Sequence, residues 1–95
     1  MKELQEVFIG KGQVKGFMFT LVKKTEFAYL YKVDTGDSVH YEIFERKENT
    51  KYNCISYPSD KAFGVWAKTT PKYEDALDIL EMFDNKVIVR NKILG

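Results

Sequence analysis

A chain of 95 residues, 44% hydrophobic and 15% aromatic, is long enough to bury one core and too short for two. Its formal net charge of +1 excludes a protein governed mainly by attraction to a phosphate backbone, although a local basic patch is compatible with it. The lone cysteine, Cys54, excludes an internal disulfide and a cysteine-built zinc cage, so a reducing cytoplasm is the expected setting. The acids Glu3 and Glu6 stand where a signal peptide needs an apolar run, and no stretch approaches the roughly 20 apolar residues of a membrane span. No repeat, low-complexity run or linker interrupts residues 1–95, which read as a single domain.

Residues 4–10 predict a short lead-in strand ending at Gly10-Lys11-Gly12, and residues 14–23 a second strand with apolar residues on both sides. From Phe27 to Lys68 the chain reads as a meander of four runs, 27–33, 38–47, 51–57 and 61–68. Turn chemistry separates them at Asp34-Thr35-Gly36-Asp37, Glu48-Asn49-Thr50 and Pro58-Ser59-Asp60. A loop of Asp34, Thr35 and Gly36, with Gly36 left-handed, sets Tyr31 opposite Val39, Tyr29 opposite Tyr41 and Phe27 opposite Ile43. That register makes every pair apolar or aromatic. A two-residue loop would set Tyr31 against His40 and Tyr29 against Glu42.

Carried through the later turns, the chosen register assigns one core face with Phe27, Tyr29, Tyr31, Val33, Val39, Tyr41, Ile43, Tyr52, Cys54, Phe63, Val65 and Ala67. A helix from Pro71 to Phe83 is expected to cover it. Thr70 is its candidate N-cap, Pro71 its first residue, Tyr73, Ala76, Leu77, Leu80 and Phe83 its apolar stripe, and Asp84-Asn85 its end. Residues 86–90 are then a sixth short strand or a tail. The fold class is α+β, an antiparallel β-meander of about five strands with one C-terminal α-helix packed on one face.

Three local patterns carry weak chemical signals. Asp34-Thr35-Gly36 is the triplet of aspartic proteases, but Asp37 follows where that family has a small residue, and a hairpin turn is needed at the same place. The turn is the better reading. Gly10-Lys11-Gly12 precedes a strand, not the helix a phosphate-cradling loop requires, so a bulge or edge kink is expected. His40 and Glu42, two apart on one strand, could be half of a general-base pair. No nucleophile accompanies them in this register, since Cys54 is assigned to the core, and a partly exposed strand pair suffices. No catalytic residue, metal site or cofactor is expected, and an enzyme is not.

The opposite sheet face is the candidate site. Leu30, Phe44, Ile55 and Trp66 form an apolar ribbon there, with Tyr57 beside it and Lys32, Arg46 and Lys68 around it. One helix cannot cover both faces of a sheet. Barrel closure, or cover by residues 1–10 and 86–95, would explain this ribbon without a function. Otherwise it docks a protein partner or a second copy, since Trp, Tyr and Arg are enriched at such contacts. Single-stranded DNA or RNA stacked on Phe44, Tyr57 and Trp66 is the alternative.

Gly16-Phe17 with Phe19-Thr20, Tyr29-Leu30-Tyr31 with His40-Tyr41-Glu42, and above all Ser56-Tyr57-Pro58-Ser59-Asp60-Lys61-Ala62-Phe63-Gly64-Val65-Trp66-Ala67 resemble small uncharacterised proteins of bacteriophages and mobile elements. The resemblance spans residues 7 to 69. It implies a genomic setting and no particular chemistry, and fits a non-catalytic binding protein.

Overall fold

The computed structural model describes residues 1–94. Its elements are β1 (Val7–Ile9), β2 (Met18–Lys24), β3 (Ala28–Asp34), β4 (Val39–Glu45), β5 (Glu48–Asn49), β6 (Cys54–Ile55), β7 (Ala67–Thr70) and α1 (Tyr73–Leu94), with 3-10 turns at Gly12–Val14 and Asp60–Ala62. β1, β2, β3, β4 and β7 form an antiparallel sheet in that order, and β5 and β6 form a separate two-stranded ribbon. The fold is α+β, with the C-terminal helix packed on one face of an open sheet. No helix among the described residues is long and apolar enough to cross a membrane.

The meander differs from the sequence expectation after β4. Of the run 51–57 only Cys54 and Ile55 are extended, and they pair with Glu48 and Asn49 outside the main sheet. Residues 60–66 form a 3-10 turn and a bend, so β7 returns directly beside β4, with Phe44 opposite Ala67 and Tyr41 opposite Thr70. Pro58 lacks a donor, and Gly64 adopts a positive φ of 88°, so neither suits the interior of a paired strand.

The first hairpin corrects the register. Its closing pair is Asp34 with Val39, so the loop runs from Thr35 to Ser38, one residue longer than expected. Asp34 Oδ1 accepts the Gly36 N–H at 2.8 Å, Thr35 N donates to Ser38 O at 3.0 Å, and Ser38 N donates to Thr35 Oγ1 at 3.1 Å. Side chains close this loop that the expected three-residue turn leaves unused. Tyr31 therefore opposes Glu42, Tyr29 opposes Phe44 and Leu30 opposes Ile43. Odd positions of β3 share a face with even positions of β4, which exchanges half of each assigned face.

Two cores result. On one side Ala28, Leu30 and Ile43 meet Ala76, Leu80 and Phe83 of α1, with Tyr41, Leu77 and Ile79 at the margin. On the other, Phe19, Tyr29, Tyr31, Val33 and Phe44 pack with Ile55, Ala62 and Ala67. The helix thus covers the Leu30 face and not the Tyr29–Tyr31 face. It also runs through Asp84-Asn85 to Leu94, absorbing residues 86–90, where a short strand or a tail was expected. Asp84 faces the sheet side, where its Oδ1 accepts the Thr25 hydroxyl at 2.6 Å. Beyond it, Lys86 and Arg90 reach the buried carboxylate of Glu45, at 3.7 and 2.9 Å. A buried acid needs such partners, and they hold the last turns against the end of β4.

Candidate functional site

The face away from the helix is roofed by irregular chain. Residues 1–6 cross it as a strap: Lys2 bridges to Cys54, Ile55 N donates to Lys2 O at 2.9 Å, and Leu4 packs on the aromatic cluster before the chain enters β1 at the sheet edge. The segment from Arg46 to Trp66 supplies the rest of the roof, with Ile55, Tyr57, Ala62, Phe63 and Trp66 packed inward. The expected cover came from both termini or from barrel closure. The N-terminus does serve, and the 46–66 segment takes the place given to residues 86–95, of which 86–94 belong to the helix on the other side and 95 lies outside the described residues.

Beneath the roof the aromatic rings form a continuous set. Phe8 stacks on Phe19 with centroids 4.7 Å apart, and Tyr31 stacks on Phe44 at 5.8 Å. Tyr57 meets three of these rings edge-on: Phe8 at 6.0 Å, Phe19 at 5.3 Å and Phe44 at 5.6 Å. Edge-to-face contact sets the positive rim of Tyr57 against the negative faces of the others, adding to the area it buries.

Each phenol of the cluster donates a hydrogen bond to a fixed acceptor. Tyr57 donates to Glu42 Oε1, Tyr29 donates to Glu3 Oε1, and Tyr31 donates to the Gln5 carbonyl at 2.7 Å. Burial, followed by the hydrogen bond to Glu42, pushes the Tyr57 phenol well above its ordinary range. Burial and then Glu3 push Tyr29 up to about 12. Glu3 is held down to about 2, first by its hydrogen bond from Arg46 (2.6 Å to Oε2) and then by that from Tyr29. Arg46 also reaches Glu48 at 2.9 Å, so one guanidinium ties the strap to β5.

Between strap and roof lies a cleft of about 660 Å³. One wall is Lys2 to Gln5 and Phe8 to Lys11, the other Cys54, Ile55, Tyr57 to Asp60 and Phe63, and Val14 and Glu42 complete it. Leu4, Phe8, Ile55, Tyr57 and Pro58 make the lining mainly apolar. Glu42 is only 5% exposed. Its Oε1 is taken by Tyr57, and its Oε2 lies 3.4 Å from His40 Nε2. The His40–Glu42 pair foreseen in the sequence is real, but its carboxylate turns inward beside the cleft. Asp34, by contrast, is exposed at the end of β3, its carboxylate committed to Gly36.

The eight residues of the sequence-derived ribbon do not share a surface. Leu30 is fully buried under α1, and Lys32 and Lys68 lie on that same side, opposite Tyr41 and Ile43. Phe44, fully buried, and Ile55, 3% exposed, belong to the aromatic side with Tyr57 and Arg46. Trp66 is half-buried at the edge of that cluster, with Lys47 Nζ 5.8 Å from its ring centroid. The cause is the hairpin parity, which parts Leu30 from Phe44. Leu4, Phe8, Glu42, Pro58 and Phe63 were missed as cleft residues. One signal pointed to Glu42: an acid inside the apolar run Tyr41-Glu42-Ile43-Phe44 demands a buried donor, and Tyr57 is it.

Comparison with family models, with curated proteins and with solved structures finds no match.

Proposed function

We propose that this chain is a non-catalytic binding protein that docks a protein partner, and that the contact is the apolar cleft between the strap and residues 54–63. The cleft carries the proposal. Its volume lies within the range of roughly 300–1,000 Å³ typical of sites that enclose one compact group. An apolar lining under a rim charged with both signs, Lys2 and Lys11 on one wall and Asp60 on the other, has the anatomy of a pocket for one anchoring side chain. Both Glu42 oxygens are engaged, which suits a wall that orients and not a base that reacts. The resemblance to phage and mobile-element proteins and the single free thiol favour action in a host cytoplasm.

Single-stranded nucleic acid has less support. Phe44 is closed off from solvent, Tyr57 is spent on three rings, and Glu42 and Asp60 would face the phosphates.

Cys54, the lone cysteine, lines the cleft and serves as its reporter. Short peptides bearing one Leu, Phe or Trp anchor are added while a thiol reagent modifies the protein. At least one is expected to slow modification severalfold, and Phe63→Arg, which crowds the wall, should remove that protection. Unchanged rates with every peptide, or protection that survives Phe63→Arg, would sink the proposal.

A further inference from the structure

The two edges of the five-stranded sheet are finished differently. β7 carries Lys68, is followed by Pro71, and has its first residue bridged to Phe63. Charge, proline and folded-over chain are the devices that keep a strand edge from pairing. β1 has none of them within its span, and its Val7 and Ile9 are 58% and 52% exposed.

Backbone phase shows what that edge offers. Leu21 N donates to Glu6 O at 2.7 Å, and Gly10 N donates to Phe17 O at 2.8 Å. Glu6, Phe8 and Gly10 are thus the residues bonded inward to β2. By the alternation of an antiparallel ladder, the N–H and C=O of Val7 and Ile9 point away from the sheet. Their side chains stand beside Thr20 and Met18 on the helix side of the sheet. The helix packs farther along, on β3, β4 and β7, and Met18 is 47% exposed. An apolar strip and a bare hydrogen-bonding edge therefore coincide.

We infer that this edge pairs with the same edge of a second copy, β1 against β1 in antiparallel sense, continuing the sheet across a two-fold axis at Phe8. Two outward-facing residues placed symmetrically about Phe8 are complementary to themselves. Val7 opposes Ile9 of the other copy, Ile9 opposes its Val7, both pairs exchange N–H and C=O, and the exposed side chains cover one another. Charge selects the same arrangement. Glu6 directly precedes the strand and Lys11 follows it within two residues, so antiparallel pairing brings acid beside base at both ends, whereas parallel pairing would set like charges together. An interface built on so short a strand belongs to the weak, reversible class.

The test is sedimentation of the full chain from about 10 µM to about 1 mM, the span in which small interfaces associate. A monomer–dimer equilibrium is expected, weakened at least about tenfold by Val7→Lys, which places a charge on the strip. Val65→Lys, at a site 65% exposed and outside β1, should leave it unchanged. Hydrogen exchange supplies a second reading on the unaltered protein: the Val7 and Ile9 amides should gain protection with concentration while Phe8 does not. A monomer throughout, a dimer indifferent to Val7→Lys, or protection appearing at another element would overturn the inference.

Discussion

The two faces of the sheet are covered by opposite means. On one, a 22-residue helix lays a regular stripe of Ala76, Leu80 and Phe83 on Ala28, Leu30 and Ile43. Three of the polar contacts on that side tie the helix to the sheet: Thr25 to Asp84, and Lys86 and Arg90 to Glu45. On the other, two irregular segments from distant parts of the chain meet over rings, and three phenols must each find an acceptor. A helix satisfies its own backbone and leaves only side chains to fit, and the space left beside it, about 280 Å³ between Glu45 and Arg90, is less than half that of the cleft on the other side. Irregular chain must spend side chains on its own closure, and a cleft remains where the two segments fail to meet. The difference teaches where an enclosed space of this size can form: on the irregular side.

The largest effects should expose this contrast. Tyr57→Ala removes three edge contacts and leaves Glu42 buried without its donor, so a loss of about 4 kcal/mol is expected in denaturant unfolding. Phe83→Ala on the helix side should cost about 3 kcal/mol through its cavity alone. If Tyr57→Ala cost less than Phe83→Ala, the aromatic roof would be mere cover. Next comes Gly10→Ala. A Cβ there would run into the Val14 carbonyl oxygen and lie 3.0 Å from Phe19 Cε1, so the turn at Gly12–Val14 must shift, at about 2 kcal/mol.

Tyr57→Phe keeps the ring and deletes the donor, and should cost about 1–2 kcal/mol. The same variant should alter the alkaline limb of stability. Raised phenol pKa values mean stability that is whole below pH 10 and lost as pH climbs through the folded values, about 12 for Tyr29. Tyr57→Phe makes that loss shallower, as thermal melts at rising pH would show.

The smallest expected effect is at acid pH. The Glu3 carboxyl is held at about 2 against an ordinary 4.5, so its contribution is complete above pH 4.5 and fades as pH falls towards 2. Glu3→Gln should flatten that limb in urea midpoints. Added salt should shrink the difference, because the carboxylate is well exposed. No effect of Glu3→Gln at any pH would mean that the strap is held by Leu4 and backbone alone.

What the sequence made legible follows the regularity of each part. The fold class and the stripe Ala76, Leu80, Phe83 were readable because a helix repeats one rule over many residues. The boundary at Asp84-Asn85 was not: a polar pair reads as a stop unless the Thr25 hydroxyl waiting across the sheet is known. The register failed for a similar reason. Maximising apolar pairs penalised a loop that sets Tyr31 opposite Glu42, yet Tyr57, fifteen residues on, makes that acid welcome. The cleft was illegible for a third reason, since its walls come from residues 2–11 and 54–63, which no local pattern brings together.

The bridge between Lys2 and Cys54 has a consequence in time. Residues 1–6 cannot settle until the middle of the chain has followed, whereas β2, β3 and β4 can pair with neighbours already present. The strap is thus expected to dock after the folding barrier has been crossed. Leu4→Ala should then hasten unfolding and leave the refolding rate nearly untouched, and stopped-flow mixing would show it. An amino-terminal segment that arrives late is also the one most easily lifted by a visitor to the space beneath it.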